Sequence, residues 1–159
     1  MRIEVFDVAA DRGGALTMLR GFYEAALQTP EHEWIFHVST PQLPETENIR
    51  VHNHPWVKRS WFHRLYFESI ANRFVRQAEP DVVVSLQNIG VWGAKVAEVV
   101  YVHQSLPFSA DRYGLLDEPR LWAYQNIVSR LIKRSILKAR VVIVQSQWMK
   151  RMIVERLHV

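Results

Sequence analysis

Residues 81–86 read Asp-Val-Val-Val-Ser-Leu, an apolar run between Pro80 and a loop that holds Asn88, Gly90 and Gly93. A strand with one wet face alternates polar and apolar residues, whereas one covered on both faces need not. This run therefore predicts a central strand of a parallel sheet. Val99-Val100-Tyr101-Val102-His103 and Val141-Val142-Ile143-Val144 predict further buried strands of the same kind. Towards the start of the chain, RIEVFDV at 2–8, Trp34-Ile35-Phe36-His37-Val38 and the short Ile49-Arg50-Val51-His52 predict three more. Leu16, Leu19, Phe22, Tyr23 and Ala26 fall at helical spacing and predict a helix over about 14–28. Further helices are predicted over about 60–78, stopped before Pro80, and over 118–138. Ser146 is placed to N-cap a last one. Residues 39–48 and 104–117 read as loops.

Strands that alternate with helices predict an α/β fold: a Rossmann-like parallel sheet flanked by helices. Ligands of such sheets sit outside the carboxyl ends of the strands. That rule selects residues 10–14, 87–92, 103–108 and 145–147 before any family is considered.

The bulk properties narrow the class. The chain has 159 residues, 48% of them hydrophobic and 23% charged, which predicts one globular domain with a real core. There is no cysteine, so disulfides and thiolate metal sites are excluded. No apolar run approaches the roughly 20 residues that span a bilayer, and the chain reads as soluble or at most peripheral. The formal net charge is +4, but the cations cluster. Residues 56–76 hold Lys58, Arg59, Arg64, Arg73 and Arg76 against Glu68 alone, and 127–140 hold Arg130, Lys133, Arg134, Lys138 and Arg140 with no acid. The remainder is net acidic, which predicts at least one basic face. These stretches carry no nucleic-acid reading motif.

Gly13-Gly14 would let backbone amides approach an anion and aim a helix N-terminus at it; a plain tight turn fits the spacing equally. His103 ends an apolar strand, where a ligand contact and a hydrogen-bonded core histidine are both possible readings. His52 and His54 look like a metal pair but lack a third ligand, and no metal is expected. Trp56, Lys58, Arg59, Trp61, Phe62 and Arg64 mix aromatics with cations. This is either a membrane-contacting face or inward aromatics with solvated cations. The cations of 127–140 read as a solvated helix face.

Gly13-Gly14 after the first strand, PDVVVS (80–85), VVYVHQSLPF (99–108) and ARVVIVQSQWMKRMI (139–153) occur in the order that resembles glycosyltransferase family 4. YVHQSLPF looks like bacterial enzymes that build capsular, exopolysaccharide or lipopolysaccharide chains. The resemblance runs over the whole chain and implies the amino-terminal half of a GT-B fold. Residues 1–159 would then be one acceptor-side domain, with the nucleotide-sugar domain and its paired glutamates outside the chain and little activity without them. It further implies a retaining hexosyltransfer from a nucleotide-sugar to a lipid-linked or growing polysaccharide acceptor. No cofactor or metal would be needed, in keeping with the missing DxD. The expected place is the cytoplasm, at the inner membrane face. By position Gly13 and Gly14 match the loop facing the donor diphosphate, and His103 the histidine that touches the donor sugar. Asn88 and Ser105 lie where acceptor contacts are expected. A stand-alone module for a membrane surface or anionic polymer, and half of a sugar-nucleotide epimerase, are the alternatives.

Overall fold

A computed structural model describes residues 1–109 and 111–159. In chain order the elements are β1 (Arg2–Asp7), α1 (Gly13–Leu27), β2 (Glu33–Val38), β3 (Ile49–Asn53), α2 (Trp61–Ala78), β4 (Val82–Ser85) and β5 (Ala97–Val102). They are followed by α3 (Pro119–Ala123), a π-helical turn (Tyr124–Val128), α4 (Ser129–Lys138), β6 (Val141–Val144) and α5 (Gln147–Leu157). Short 3-10 turns occupy Pro55–Lys58 and Leu106–Phe108.

The six strands form one sheet in the order β3-β2-β1-β4-β5-β6, with every neighbouring pair parallel. The chain winds outward from β1 to β3, then returns to start again at β4 on the other side of β1. That reversal puts the topological switch point between β1 and β4, where the loops leaving the two strands diverge and open a crevice.

Strand alternation sends successive side chains to opposite faces. Ile3, Val5, Phe36, Val84 and Tyr101 pack with Leu19 and Tyr23 of α1. On the other face Phe6 and Val83 meet Phe67, Ala71 and Val75 of α2, while Val100 and Val102 meet Ile132 and Ile136 of α4 and Met149 and Ile153 of α5. Each fully buried Leu, Val or Phe contributes roughly 1.5–3 kcal/mol. Ser60 Oγ caps α2 through the His63 N–H at 3.4 Å. Ser146 Oγ caps α5 through the Met149 N–H at 3.2 Å, as its position in the sequence predicts.

Two elements differ from expectation. β6 is an edge strand, half-buried rather than buried, because only β5 pairs with it among the described residues. The helix expected over 118–138 is broken by the π turn. There the buried Gln125 turns inward: its Nε2 donates to Asp111 O at 2.7 Å and its Oε1 accepts the Tyr113 N–H at 3.3 Å. The widened turn anchors the preceding loop.

Candidate functional site

Three of the sheet's carboxyl-end loops carry the candidate chemistry. After β1, Asp7 Oδ1 accepts the Ala10 N–H at 3.1 Å, Ser39 Oγ donates to Ala10 O at 3.3 Å, and Lys58 Nζ donates to Ala9 O at 2.6 Å. Lys58 also pairs with Asp11 at 3.2 Å. This bracing holds the entry to α1 in place. α1 itself begins without a side-chain cap and without an acid in its first turn. Its first N–H groups and the positive end of its dipole therefore lack an anionic partner among the described residues. Gly13 has φ +61, a conformation that favours glycine. Gly14 does not have a positive φ, and a Cβ there would meet nothing within 4 Å. Packing therefore does not require glycine at 14.

Asn88, after β4, sits at φ +68 and reaches across to β5. Its Oδ1 accepts the N–H groups of His103 at 2.8 Å and Gln104 at 3.0 Å. Both bonds fix which end of the amide is oxygen, so Nδ2 must face His103 Nε2, 3.1 Å away. An amide nitrogen only donates, so Nε2 accepts and the ring proton resides on Nδ1. Burial lowers the His103 pKa in the same direction, towards the neutral ring. Asn88 is 7% exposed with its polar atoms committed inward, so it is placed to orient His103 rather than to meet an acceptor directly. Ser105 is exposed at the start of the 3-10 turn Leu106–Phe108, with no side-chain cap bond.

β1, β4 and β5 are adjacent, so Gly13-Gly14 and His103 lie at the same end of the sheet with one strand between them. Strand spacing alone sets β1 and β5 about 10 Å apart.

A polar cluster absent from the sequence reading fills the α2 side of this end. Asp7 is 1% exposed, and burial pushes its pKa up to about 6 against the Ala10 and Ala9 amides and the charges of Arg64 and Lys58. Arg64 pairs with buried Glu68 at 2.7 Å, and Gln87 Nε2 donates to Glu68 at 3.1 Å. Gln87 Oε1 is buried with no partner. Burial raises the pKa of Glu68 and of Tyr124, and both feel the Arg64 charge. Arg64 thus stands where β1, α2 and the π turn converge. Asp7 and Gln87 each carry the signal that singled out His103, a polar residue closing an apolar strand.

The aromatic-basic stretch divides in two. Trp61 and Phe62 are 66% and 69% exposed and stack on each other at 4.6 Å, with Leu65 and Tyr66 exposed beside them. Arg59 is exposed as well. Lys58 and Arg64 instead turn to Asp11 and Glu68, and Trp56 is half-buried near Phe67. Inward aromatics with solvated cations therefore holds for Trp56 and for the exposed cations Lys58 and Arg59, and is reversed for Trp61, Phe62 and Arg64. No helix among the described residues is long and apolar enough to cross a membrane.

His54 bonds another histidine instead of forming a metal pair with His52. Its Nε2 lies 3.0 Å from His37 Nδ1, and His37 Nε2 lies 2.8 Å from Glu4 Oε1 in the core. His52 stacks over His37 at 5.1 Å. No group of three or more potential ligands that could hold a metal occurs among the described residues.

Residues 13–159 match the family model described as Glycosyltransferase Family 4. No curated protein matches. Among solved structures, the apo form of the lipopolysaccharide outer core galactosyltransferase WaaB aligns at 14% identity and a TM-score of 0.45. The alignment covers 92% of this chain and 45% of that one, so the chain spans less than half of that protein's length.

Proposed function

The chain belongs to glycosyltransferase family 4, and from that premise we propose that it forms the acceptor-side, amino-terminal domain of a retaining GT-B glycosyltransferase. The observation that carries this reading is the uncapped start of α1 at Gly13-Gly14, on the same sheet end as the oriented, neutral His103. A second Rossmann-like domain would hold the nucleotide-sugar and face this end across a cleft.

In the transfer, the bond between the sugar's anomeric carbon and the diphosphate oxygen breaks, and the acceptor hydroxyl forms the new one. Positive character builds on the sugar and negative charge on the leaving group. The α1 amides and dipole meet that charge, a favourable interaction of about 0.3–2 kcal/mol for the dipole alone; a preorganised donor aimed at a developing anion is worth roughly 3–4 kcal/mol. His103 offers Nδ1–H to a sugar oxygen and orients the ring. It is not the base, because its Nε2 lone pair already faces the Asn88 amide. The acceptor hydroxyl's proton passes instead to the departing phosphate oxygen, which gains basicity as the bond breaks. No metal is required where amides and a dipole meet the leaving charge.

The exposed Trp61–Phe62 pair suits an acceptor presented at a membrane, such as a lipid-linked saccharide, since aromatic side chains favour the bilayer interface. A polysaccharide-building role and a place at the inner membrane face follow from that choice of acceptor. The test is sugar transfer by a protein carrying this chain together with its nucleotide-binding domain. Transfer should fall at least a hundredfold in His103→Ala with folding intact, and an unchanged rate would remove His103 from the reaction.

A further inference from the structure

A parallel crossover must carry the chain from one end of the sheet back to the other, and a helix usually does so. Between β4 and β5 none does. Residues 86–96 return as an irregular loop, tied down where Gly90 N–H donates to Ser135 Oγ at 2.9 Å and Val91 N–H to Glu98 Oε1 at 2.5 Å. A loop fills less space than a helix, and a cleft of about 310 Å³ remains between it and α4. Glu98 pairs in register with Val83 near the amino end of β5, so the cleft lies away from the Gly13–His103 end.

The lining is chemically specific. Glu98 supplies a carboxylate from within, with only one oxygen taken by Val91. Arg134 and Lys138 stand one turn apart on α4 at the opening, and neither has an ion-pair partner within 4.0 Å among the described residues. Trp92 is 38% exposed and lines the cleft beside Gly93. Two cations of the basic helix face expected from the sequence, Arg134 and Lys138, thus border a cavity while staying exposed.

We propose that this cleft binds a single acidic sugar unit, a hexose bearing a carboxylate or a phosphate. The sugar's C–H face would lie on the Trp92 indole, a hydroxyl would donate to the free oxygen of Glu98, and the anion would pair with Arg134 and Lys138. Two cations against one carboxylate favour a ligand with net negative charge. The volume stands at the low end of the roughly 300–1,000 Å³ of ligand pockets, which suits one ring better than a nucleotide-sugar. The site rests on the cleft alone and does not depend on the transfer reaction.

The experiment titrates the ¹⁵N-labelled chain with glucuronate, glucose 6-phosphate and glucose, following the Trp92 indole N–H and the Gly93 amide. At least one acidic sugar should give saturable shifts at both probes, binding at least tenfold tighter than glucose. Comparison of the two acids identifies the preferred anion. Arg134→Glu with Lys138→Glu, both exposed positions, should weaken that binding at least tenfold, and Trp92→Leu should weaken it without charge reversal. The proposal is overturned if neither acidic sugar gives saturable shifts, if glucose binds as tightly, or if the charge-reversed variant binds equally well.

Discussion

Asn88 sets the tautomer of His103. Two backbone N–H bonds to its Oδ1 leave only the amide nitrogen, 3.1 Å from Nε2, for the ring to meet. A left-handed residue at the end of β4 thereby determines what an imidazole at the end of β5 can do. Exchange of Asn88 for Asp replaces a donor by an acceptor and an anion. The His103 pKa, depressed by burial in the parent, should then rise, because the added carboxylate favours the charged ring, and Nε2 should become protonated. Ring ¹⁵N shifts followed through a pH titration measure both; an unmoved titration would show that Asn88 does not control the ring.

Gly14 separates ligand approach from packing. The open space around it predicts that Gly14→Ala leaves the fold intact and gains up to about 1 kcal/mol from helix propensity. Gly13→Ala should cost about 1–2 kcal/mol, because a side chain at φ +61 is strained. Urea denaturation of the two variants reads this contrast. Gly14→Val in the protein with its nucleotide domain should weaken donor binding at least tenfold, and equal stability losses at 13 and 14 would remove the distinction.

Burial raises the Asp7 pKa from the unfolded 3.8 to about 6. The folded state therefore holds this proton more tightly than the unfolded chain. Stability from Asp7 is complete below pH 3.8 and is lost as pH rises through about 6. Asp7→Asn should be more stable than the parent at pH 8, by an amount on the order of 1–3 kcal/mol, with the gap closing below pH 4. Urea midpoints across that range measure it. A variant less stable at pH 8 would mean that the ionised carboxylate with Lys58 and Arg64 outweighs its burial.

Trp61→Ser with Phe62→Ser should lower partitioning onto vesicles of anionic lipid at least tenfold in a sedimentation assay. Arg59→Glu should have a smaller effect that vanishes in high salt. Undiminished binding of the aromatic double variant would place any membrane contact elsewhere.

The parallel strands were legible because apolar β-branched runs at 82–84, 99–100 and 141–144 need cover on both faces or nearly so. The edge position of β6 was not, since an apolar tetrad reads the same beside one neighbour or two. α2 shows the limit of periodicity. Trp61, Phe62, Leu65 and Tyr66 form one apolar group and Phe67, Ala71 and Val75 another, and sequence alone does not say which faces the sheet. Gln87 and Asp7 carried the same signal as His103, but an apolar strand end gives no measure of which polar side chain is oriented by a neighbour.

The central claim is met most directly by titrating the ¹⁵N-labelled chain with inorganic pyrophosphate. Saturable shifts of the Gly14, Ala15 and Leu16 amides, reduced by salt and abolished in Gly14→Val, are the predicted result. Amides of the first α1 turn that stay fixed while only scattered lysine and arginine signals move would contradict it.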